Sequence, residues 1–391
     1  MSPVSLGALV PWSEIQSALT VSLRDSHRAK AALVVGGSAV ILWATPVREG
    51  LLRTVELIGA LWPSRHSGRI HEYNGMHDAE SSDARKQAYS TLVDSYYDLA
   101  TAFYEWGWGD CFHFAYRYKA ESWREAFKRH EQYLASKLQP PPGGLVLDAG
   151  CGVGGPARVI SRFLGCSIKG VTINEYQVNR GNQLNKRAGL DQQVKLVQGD
   201  FMKLPFQDGE FDGVYAIEST CHAPHRKGVY SEIFRVLKPG GVFATYEWGL
   251  TDKYNPESEA HRQLKKQIEI GDGLPDLIPT SEITQALRDA GFEVVEARDY
   301  ALDSSSTDCE PWYGPLLASW NPLKWPCFQF NPVMNTLLPI VLRSLEMCRI
   351  LPADASTTRA MLEVAALGCR AGGLTGSFTP MWLMVARKPT K

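Results

Sequence analysis

The sequence predicts an α/β fold built on a doubly wound, seven-stranded and mostly parallel sheet, with a helical C-terminal insertion and an N-terminal hydrophobic segment. Two observations lead to this prediction. From residue 145 onward, apolar runs rich in β-branched residues alternate with helical stretches, which is typical of a parallel sheet covered on both faces. A glycine-rich turn also follows the first of these runs, and 391 residues are enough to bury a large core.

Seven apolar runs supply the predicted strands. They lie at 145–150, 168–173, 194–200, 211–219, 241–248, 291–300 and 380–389. Two helices precede them, one from about residue 90 and one over 119–138, after a polar linker at 63–90. The stretch between the last two strands is apolar and broken by proline, and it predicts the helical insertion.

Changes in composition divide the chain into four regions. We expect a membrane anchor or leader at 1–70 and a linker with aromatic substrate-binding helices at 71–140. A cofactor-binding core is expected at 141–302 and a C-terminal region with the last strand at 303–391. The boundary between residues 140 and 141 falls in a turn rich in proline and glycine, at 140–144.

The N-terminal region contains an uncharged run at 31–47 between basic flanks, followed by an amphipathic segment at 51–62. The run is short for a bilayer span, which needs roughly 20 apolar residues. Three interpretations remain open: an N-terminal anchor, an organellar transit peptide and a soluble buried helix. We favour the anchor, because a soluble helix usually carries a polar face. We therefore expect membrane association through residues 31–62.

The composition argues against several classes of partner. With 41 Lys and Arg against 42 Asp and Glu, the chain lacks the basic excess that a nucleic acid requires. Eight scattered cysteines without a Cys-x-x-Cys pair argue against a zinc ribbon and a disulfide framework. Cys221, His222 and His225 form the one compact set of candidate ligands, and we predict no metal there. The sequence is compatible with a homo-oligomer.

A glycine-rich loop, Leu147-Asp-Ala-Gly-Cys-Gly-Val-Gly-Gly155, sits where the first strand meets a helix. Gly150 and Gly152 let the backbone approach a ligand at an open helix N-terminus. Asp148 lies two residues before the first glycine of the loop, where it suits a cationic or amino-acid group and would repel a pyrophosphate. The loop therefore indicates a cofactor that carries an amino group beside it.

Two later strand ends complete the predicted cofactor site. Asn174 and Gln177 follow the second strand, where ribose hydroxyls need an acceptor. Asp200 and Phe201 follow the third strand, where an acid can accept from an adenine amino group and an aromatic ring can stack. Because the carboxyl ends of parallel strands bind ligands together, these positions jointly indicate S-adenosylmethionine.

Six segments resemble the S-adenosylmethionine-dependent sterol C-24 methyltransferases of plants, fungi and algae. They are YEWGWGDCFHF (104–114), LDAGCGVGGP (147–156), GVTINEYQVNR (170–180), YAIESTCHAP (215–224), YEW (246–248) and IEIGDGLPD (268–276). The resemblance implies a Rossmann-like methyltransferase fold and the first methylation step, on a Δ24 sterol such as cycloartenol, with lanosterol or zymosterol as alternatives. With the predicted anchor, it implies the endoplasmic reticulum membrane, with the catalytic domain facing the cytosol.

The same resemblance assigns roles to individual residues. A sterol-binding role falls on Tyr104, Glu105, Trp106, Gly107, Trp108, His113 and Phe114. A block that faces the transferred methyl group comprises Glu218, Ser219, Cys221 and His222. By residue type alone, however, His113 is more often a hydrogen-bonded structural histidine than a catalyst.

The chemistry of such a reaction asks for cation stabilisation and one base. Attack of the sterol alkene on an activated methyl group leaves a tertiary carbocation, which then loses a proton. Candidate aromatic faces, at about 1–2 kcal/mol each when desolvated, are Tyr104, Trp106, Trp108 and Tyr246. Candidate bases, in order of preference, are Glu218, Glu105, His222 and Glu247.

Three competing functions remain open at this point. The nearest is methylation of another lipid, such as a prenylquinone, a tocopherol or an acyl chain. A nicotinamide oxidoreductase would also use a glycine-rich loop, but Asp148 argues against it. A sterol-binding protein without catalysis is disfavoured because the acids of both predicted sites are present.

Overall fold

The computed structural model describes residues 82–107, 109–305, 308–320, 330–349, 351 and 355–390. The predicted anchor at 31–62 and Trp108 lie outside these ranges. Among the helices that are described, none combines the length and apolar composition that a bilayer crossing requires.

Seven strands form the central sheet, as predicted. They are β2 (Leu145–Ala149), β3 (Ser167–Thr172), β4 (Val194–Gln198), β5 (Phe211–Ile217), β6 (Leu237–Leu250), β7 (Glu293–Asp299) and β9 (Phe378–Arg387). Their order across the sheet is β4-β3-β2-β5-β6-β9-β7, and only β9 runs antiparallel to its neighbours. A separate ribbon pairs β1 (Arg117–Tyr118) with β8 (Cys309–Glu310).

The helices alternate with these strands or cover the carboxyl edge of the sheet. They are α1 (Ser82–Gln87), α2 (Tyr89–Gly107), α3 (Trp123–Ser136), α4 (Gly155–Leu164), α5 (Glu175–Arg187), α6 (Arg226–Val236), α7 (Glu259–Gly271), α8 (Thr280–Asp289), α9 (Pro332–Met347) and α10 (Ala355–Thr375). The predicted helical insertion is confirmed, since α9 and α10 lie between β7 and β9.

Both faces of the sheet are buried because side chains of each strand alternate between them. In β2, Val146 packs into the cluster that contains Leu134 of α3. Its neighbour Leu147 packs into the opposite cluster, with Ile233 of α6 and Leu287 of α8. Helices therefore cover both sides of the sheet, which is the doubly wound arrangement that the sequence predicts.

The structure corrects the prediction of a linker at 63–90 and shows why α3 begins after Ser122. The polar segment at 63–90 is not a linker throughout, because α1 begins at Ser82 and its Arg85 and Lys86 pair with Glu269 and Asp276 at 3.3 and 2.8 Å. Further on, Ser122 begins α3 with a capping box to the third helical residue, which satisfies two backbone donors.

A third apolar cluster joins α2 to α10. Leu92, Tyr96 and Ala100 of α2 are fully or almost fully buried there against Met361 of α10. Helix α2 is thereby held across the carboxyl ends of the parallel strands, where ligands bind in folds of this kind.

Candidate active site

A cleft lies between α2 and the carboxyl ends of β2, β3, β4 and β5. The glycine-rich loop forms its floor, and Tyr89, Val93 and Tyr97 of α2 form its roof. Of the predicted cofactor-binding residues, the structure brings six to this cleft: Asp148, Gly150, Gly152, Gln177, Asp200 and Phe201.

The loop after β2 turns sharply at Gly150. Its backbone has φ +97°, a left-handed conformation that favours glycine, and the N–H groups of Gly150 and Cys151 both donate to Val171 O at 3.0 Å. A Cβ atom at Gly150 would lie 2.3 Å from Ser219 Cβ. Glycine is therefore required at this position by both the backbone and the space around it.

Asp148 lies at the end of β2, almost fully buried beside the loop. Its carboxyl accepts a hydrogen bond from Tyr215 Oη at 2.7 Å. Burial raises the pKa of Asp148 to about 7, although the Tyr215 hydrogen bond lowers it. A carboxylate in these surroundings gains from a nearby cation, which fits the amino group of S-adenosylmethionine.

Of the two predicted ribose partners after β3, Gln177 lines the cleft and Asn174 does not. Gln177 lines the cleft and accepts from Thr172 Oγ1 at 2.6 Å. Asn174 begins α5 instead: its Oδ1 accepts from Gln177 N at 3.0 Å, and its Nδ2 donates to Asp94 Oδ1 at 2.9 Å. Gln177 and Thr172 are thus the polar side chains that this strand end brings to the cleft, and Asn174 positions them.

The end of β4 brings Asp200 and Phe201 together. Asp200 accepts from Tyr89 Oη of α2 and from Met202 N, the latter at 2.8 Å. An acid beside an aromatic ring at this strand end fits an adenine group. The residues of the cleft therefore fit S-adenosylmethionine, with Asp148 beside the glycine-rich loop and Asp200 after β4.

Glu218 follows β5 and has a left-handed backbone conformation. Its φ of +52° is uncommon for a residue with a side chain, and such strain often marks a functional position. Its Oε1 accepts from Phe114 N and its Oε2 from Trp248 Nε1, both at 2.8 Å. Burial raises the pKa of Glu218 to about 8, against the opposing effect of His113.

His222 reaches the same cleft from the short helix Thr220–His222. Its Nε2 lies 2.9 Å from Tyr97 Oη, and its Nδ1 lies 3.3 Å from Gly273 O. Burial lowers the pKa of His222 to about 4, so the imidazole is neutral near pH 7. Glu218 and His222 are the two predicted bases that line the cleft.

The other two predicted bases lie elsewhere. Glu105 pairs with Arg180 of α5, with Oε1 at 2.9 Å from Nε. Glu247 is fully buried on the far side of β6, where it accepts from Thr220 Oγ1 and faces Arg226 Nε at 3.7 Å. The structure thus separates both acids from the lining of the cleft.

Of the aromatic residues predicted to face the carbocation, Tyr104 lies near the cleft and Tyr246 lies in the core. Tyr104 lies next to the cleft, with its ring 5.4 Å from that of Phe112 and its Oη 2.5 Å from Tyr96 Oη. Tyr246 is fully buried and stacks on His130 at 3.8 Å, so it does not reach the cleft. The side chains of Trp106 and Trp108 lie outside the described part of the chain.

Phe114, a predicted sterol-binding residue, lies beside Glu218 and contacts two rings, Trp248 and Trp312, that the sequence analysis did not predict. Its ring is 6.0 Å from Trp248 and 5.0 Å from Trp312. Strand alternation was the available signal for Trp248, because a residue two positions after Tyr246 faces the same side and lies nearer the carboxyl edge. No sequence pattern marked Tyr89 and Tyr97 as cleft residues.

The fold and the cleft define a methyltransferase: residues 147–245 match the family model described as a methyltransferase domain. Residues 325–390 match the model described as the C-terminal region of sterol methyltransferases. The chain is 46% identical over 321 residues to cycloartenol-C-24-methyltransferase of Arabidopsis thaliana, covering 82% of this chain and 94% of the relative. It is 43% identical over 325 residues to sterol 24-C-methyltransferase ERG6 of Saccharomyces cerevisiae, covering 82% and 84%. The chain therefore belongs to the sterol 24-C-methyltransferase family, as its motifs predicted.

Solved structures share the fold at low sequence identity. Geranyl diphosphate C-methyltransferase from Streptomyces coelicolor A3(2), in complex with S-adenosyl-L-homocysteine among other ligands, has a TM-score of 0.53 at 17% identity and covers 77% of this chain and 98% of its own. The cyclopropane synthase MmaA2 from Mycobacterium tuberculosis has a TM-score of 0.52 at 12% identity, covering 81% and 96%. These structures share the fold. The methyltransferase domain and the sterol methyltransferase relatives confirm the predicted cofactor, S-adenosylmethionine.

We expect the affinity for S-adenosylmethionine to rise as the pH is raised toward the pKa of Asp148, about 7. Asp148 is neutral below that pH and must lose its proton to attract the amino group, so affinity should change by up to about tenfold per pH unit. Calorimetric titration of the parent protein and of Asp148→Asn would measure this. The variant should bind more weakly and with a flat profile between about pH 5.5 and 7; an unchanged profile would place the amino group elsewhere.

Proposed function

We propose that the protein transfers the methyl group of S-adenosylmethionine to C-24 of a Δ24 sterol, with cycloartenol as the preferred acceptor. One observation carries the proposal: a buried carboxyl, Glu218, lies in the cofactor cleft between the Phe114 amide and the Trp248 indole. The names of the curated relatives support the sterol and the position of methylation.

When bound, the cofactor supplies a methyl group on a positively charged sulfur, which an alkene can attack without a metal. The chain must then stabilise positive charge on the sterol side chain and keep water away from it. The rings of Phe114, Trp248 and Trp312 form an apolar group beside Glu218 that suits both tasks. The Glu218 carboxylate adds opposite charge at short range.

Glu218 also suits the final proton transfer. After methylation and a hydride shift, one C–H bond of the cation breaks, its electron pair forms the new alkene, and the proton passes to a carboxylate oxygen. The burial that raises the pKa of Glu218 to about 8 makes its carboxylate a stronger base than an exposed one. His222 is the second candidate base, and it hydrogen bonds to Tyr97 on the opposite wall.

The sterol itself would extend from Glu218 along α2. We propose that Tyr104, Glu105, Trp106, Trp108 and Phe114 contact it. The position of Tyr104 next to Phe112, which lines the cleft, supports this direction.

We further propose that residues 31–62 hold the chain at the endoplasmic reticulum membrane, with the catalytic domain facing the cytosol. An uncharged run followed by an amphipathic segment supports the proposal, as does an acceptor that dissolves in membranes. In a cosedimentation assay, the whole chain should pellet with phosphatidylcholine vesicles, and a chain without residues 1–62 should stay in the supernatant. Equal amounts of the two chains in the vesicle pellet would contradict the proposed membrane anchor. The proposal extends to a homo-oligomer, which light scattering of the same preparations would measure.

Mass spectrometry of sterols incubated with the purified protein and methyl-labelled S-adenosylmethionine tests the proposed reaction. Cycloartenol, lanosterol, zymosterol and a 24-methylene sterol should be offered in parallel. We expect label at C-24 of cycloartenol above all. Preference for another Δ24 sterol would show that cycloartenol is not the preferred acceptor. If no sterol gained label while the cofactor still bound, the proposed reaction would be wrong and another lipid would be the acceptor.

A further inference from the structure

A buried ion pair lies beside Glu218, and one of its members, His113, also lines the cleft. His113 Nε2 lies 3.0 Å from Glu131 Oε1, and both side chains are at most 2% exposed. His113 Nδ1 lies 3.0 Å from the carbonyl of Phe114, the residue whose amide donates to Glu218. The mechanism above uses neither member of the pair.

The pair is close enough to act on Glu218 electrostatically. One ring nitrogen each of His113 and His130 and one carboxylate oxygen of Glu218 all lie within 4.8 Å of one another. The side chains of His113, Glu131 and Glu218 are buried, so the field of a charge there is weakly screened. A protonated His113 would favour the carboxylate form of Glu218.

Glu131 favours the protonated form of His113. Burial alone would lower the pKa of His113, but the hydrogen bond and charge of Glu131 raise it above its ordinary value. The Cys111 thiol also donates to Glu131 Oε1, at 3.1 Å, and fixes its position. Helix α3 thus places the Glu131 carboxyl group against the His113 imidazole.

His130 does not share this charge. Burial lowers its pKa well below the ordinary value, and within the described chain neither ring nitrogen has a hydrogen-bond partner. Its ring stacks on Tyr246 and lies 5.5 Å from that of His113. His130 therefore fills the space beside the pair as a neutral ring.

The remaining titratable groups around Glu218 oppose its ionisation or are neutral. Glu247 on β6 is an acid, and its charge raises the pKa of Glu218. Tyr97 on α2, Cys221 after β5 and Cys369 on α10 hold their protons, because burial raises the pKa of each. Among the described residues, His113 is the cation whose charge acts on Glu218 directly.

We infer that the His113–Glu131 pair supplies the positive charge that favours the carboxylate form of Glu218 in catalysis, which makes Glu131 a positioning residue. The inference rests on the proposed function, in which the Glu218 carboxylate faces the cation and takes the proton. Glu131 touches neither substrate nor cofactor and acts through His113.

The test is the pH dependence of turnover in Glu131→Gln, with Glu131→Asp and Glu293→Gln as comparisons. Loss of the Glu131 charge should release the proton of His113 and move the rise in kcat upward by about one pH unit, with a loss of about tenfold below the midpoint. Raising the pH should restore turnover, which a merely structural defect would not allow. Glu131→Asp keeps the charge and should keep the midpoint, and so should Glu293→Gln, which removes an exposed acid from β7.

A second readout needs neither sterol nor turnover. In protein with isotope-labelled histidine, the NMR signal of His113 should show a protonated ring up to a higher pH than an ordinary histidine. In Glu131→Gln, the same ring should deprotonate at a lower pH. A neutral His113 in the parent protein, or an unmoved midpoint of turnover in Glu131→Gln, would overturn the inference. Absence of sterol methylation in the parent protein would instead overturn the proposed function and leave the NMR result standing.

Discussion

Replacement of Glu218 by Gln should lower kcat by about a hundredfold or more, the usual range for loss of an acid–base group. Gln has nearly the same shape but can neither carry the charge that faces the cation nor take its proton. The affinity for S-adenosylmethionine should change little, because the variant keeps the glycine loop and Asp148. Single-turnover kinetics with labelled cofactor would separate the slow step from binding.

The Gln side chain also meets two donors, Phe114 N and Trp248 Nε1, and can accept from only one of them. A loss of about 1–3 kcal/mol in the free energy of unfolding should accompany the variant. Comparison with Glu282→Gln, which removes an exposed acid from α8, controls for net charge. Turnover within a few-fold of the parent protein would remove Glu218 from the mechanism and leave His222 as the base.

Replacement of Gly150 by Ala should abolish measurable cofactor binding and lower the free energy of unfolding by about 3 kcal/mol. The new Cβ would lie 2.3 Å from Ser219 Cβ and 2.6 Å from Ser219 Oγ, and the backbone would keep a φ of +97°. The loop must therefore move away from Ser219, which hydrogen bonds to Ala149 O at the end of β2. Calorimetric titration and urea denaturation measure the two effects.

Gly165→Ala provides the matched control. Gly165 also has a left-handed backbone, with φ +63°, but no atom lies within 4 Å of its Cβ position. We expect a loss of about 1 kcal/mol from backbone strain and full cofactor affinity. Equal effects of the two substitutions on cofactor affinity would show that strain, and not the contact with Ser219, decides the shape of the loop.

The sheet could be predicted from the sequence because its strands are buried on both faces. The runs 145–150 and 211–219 are nearly uninterrupted apolar segments, and they correspond to β2 and β5 within two residues at each end. The glycine loop follows from the same reasoning, since a ligand-binding turn at the first strand end needs residues without side chains. Local pattern and fold agree in these segments.

The roof of the cleft could not be predicted in the same way. The helical pattern from about residue 90 identified α2, but periodicity does not say which element a helix packs on. Tyr246 illustrates a related limit, because its residue type suited a cation while its strand position turned it toward His130. Trp248, two residues on, is the ring that reaches Glu218.

The position of β9 between β6 and β7 has a consequence for biosynthesis. In the described sheet, β7 pairs with β9 alone, so it has no strand partner until residues 378–387 have left the ribosome. The five strands from β4 to β6 can form their part of the sheet earlier, because their parallel pairs are complete by residue 250. More than a hundred residues must therefore be synthesised while the edge of β6 is unpaired. Chaperones protect exposed strand edges of this kind. A premature stop codon before residue 378 should leave the cofactor loop encoded in full yet yield an aggregating product.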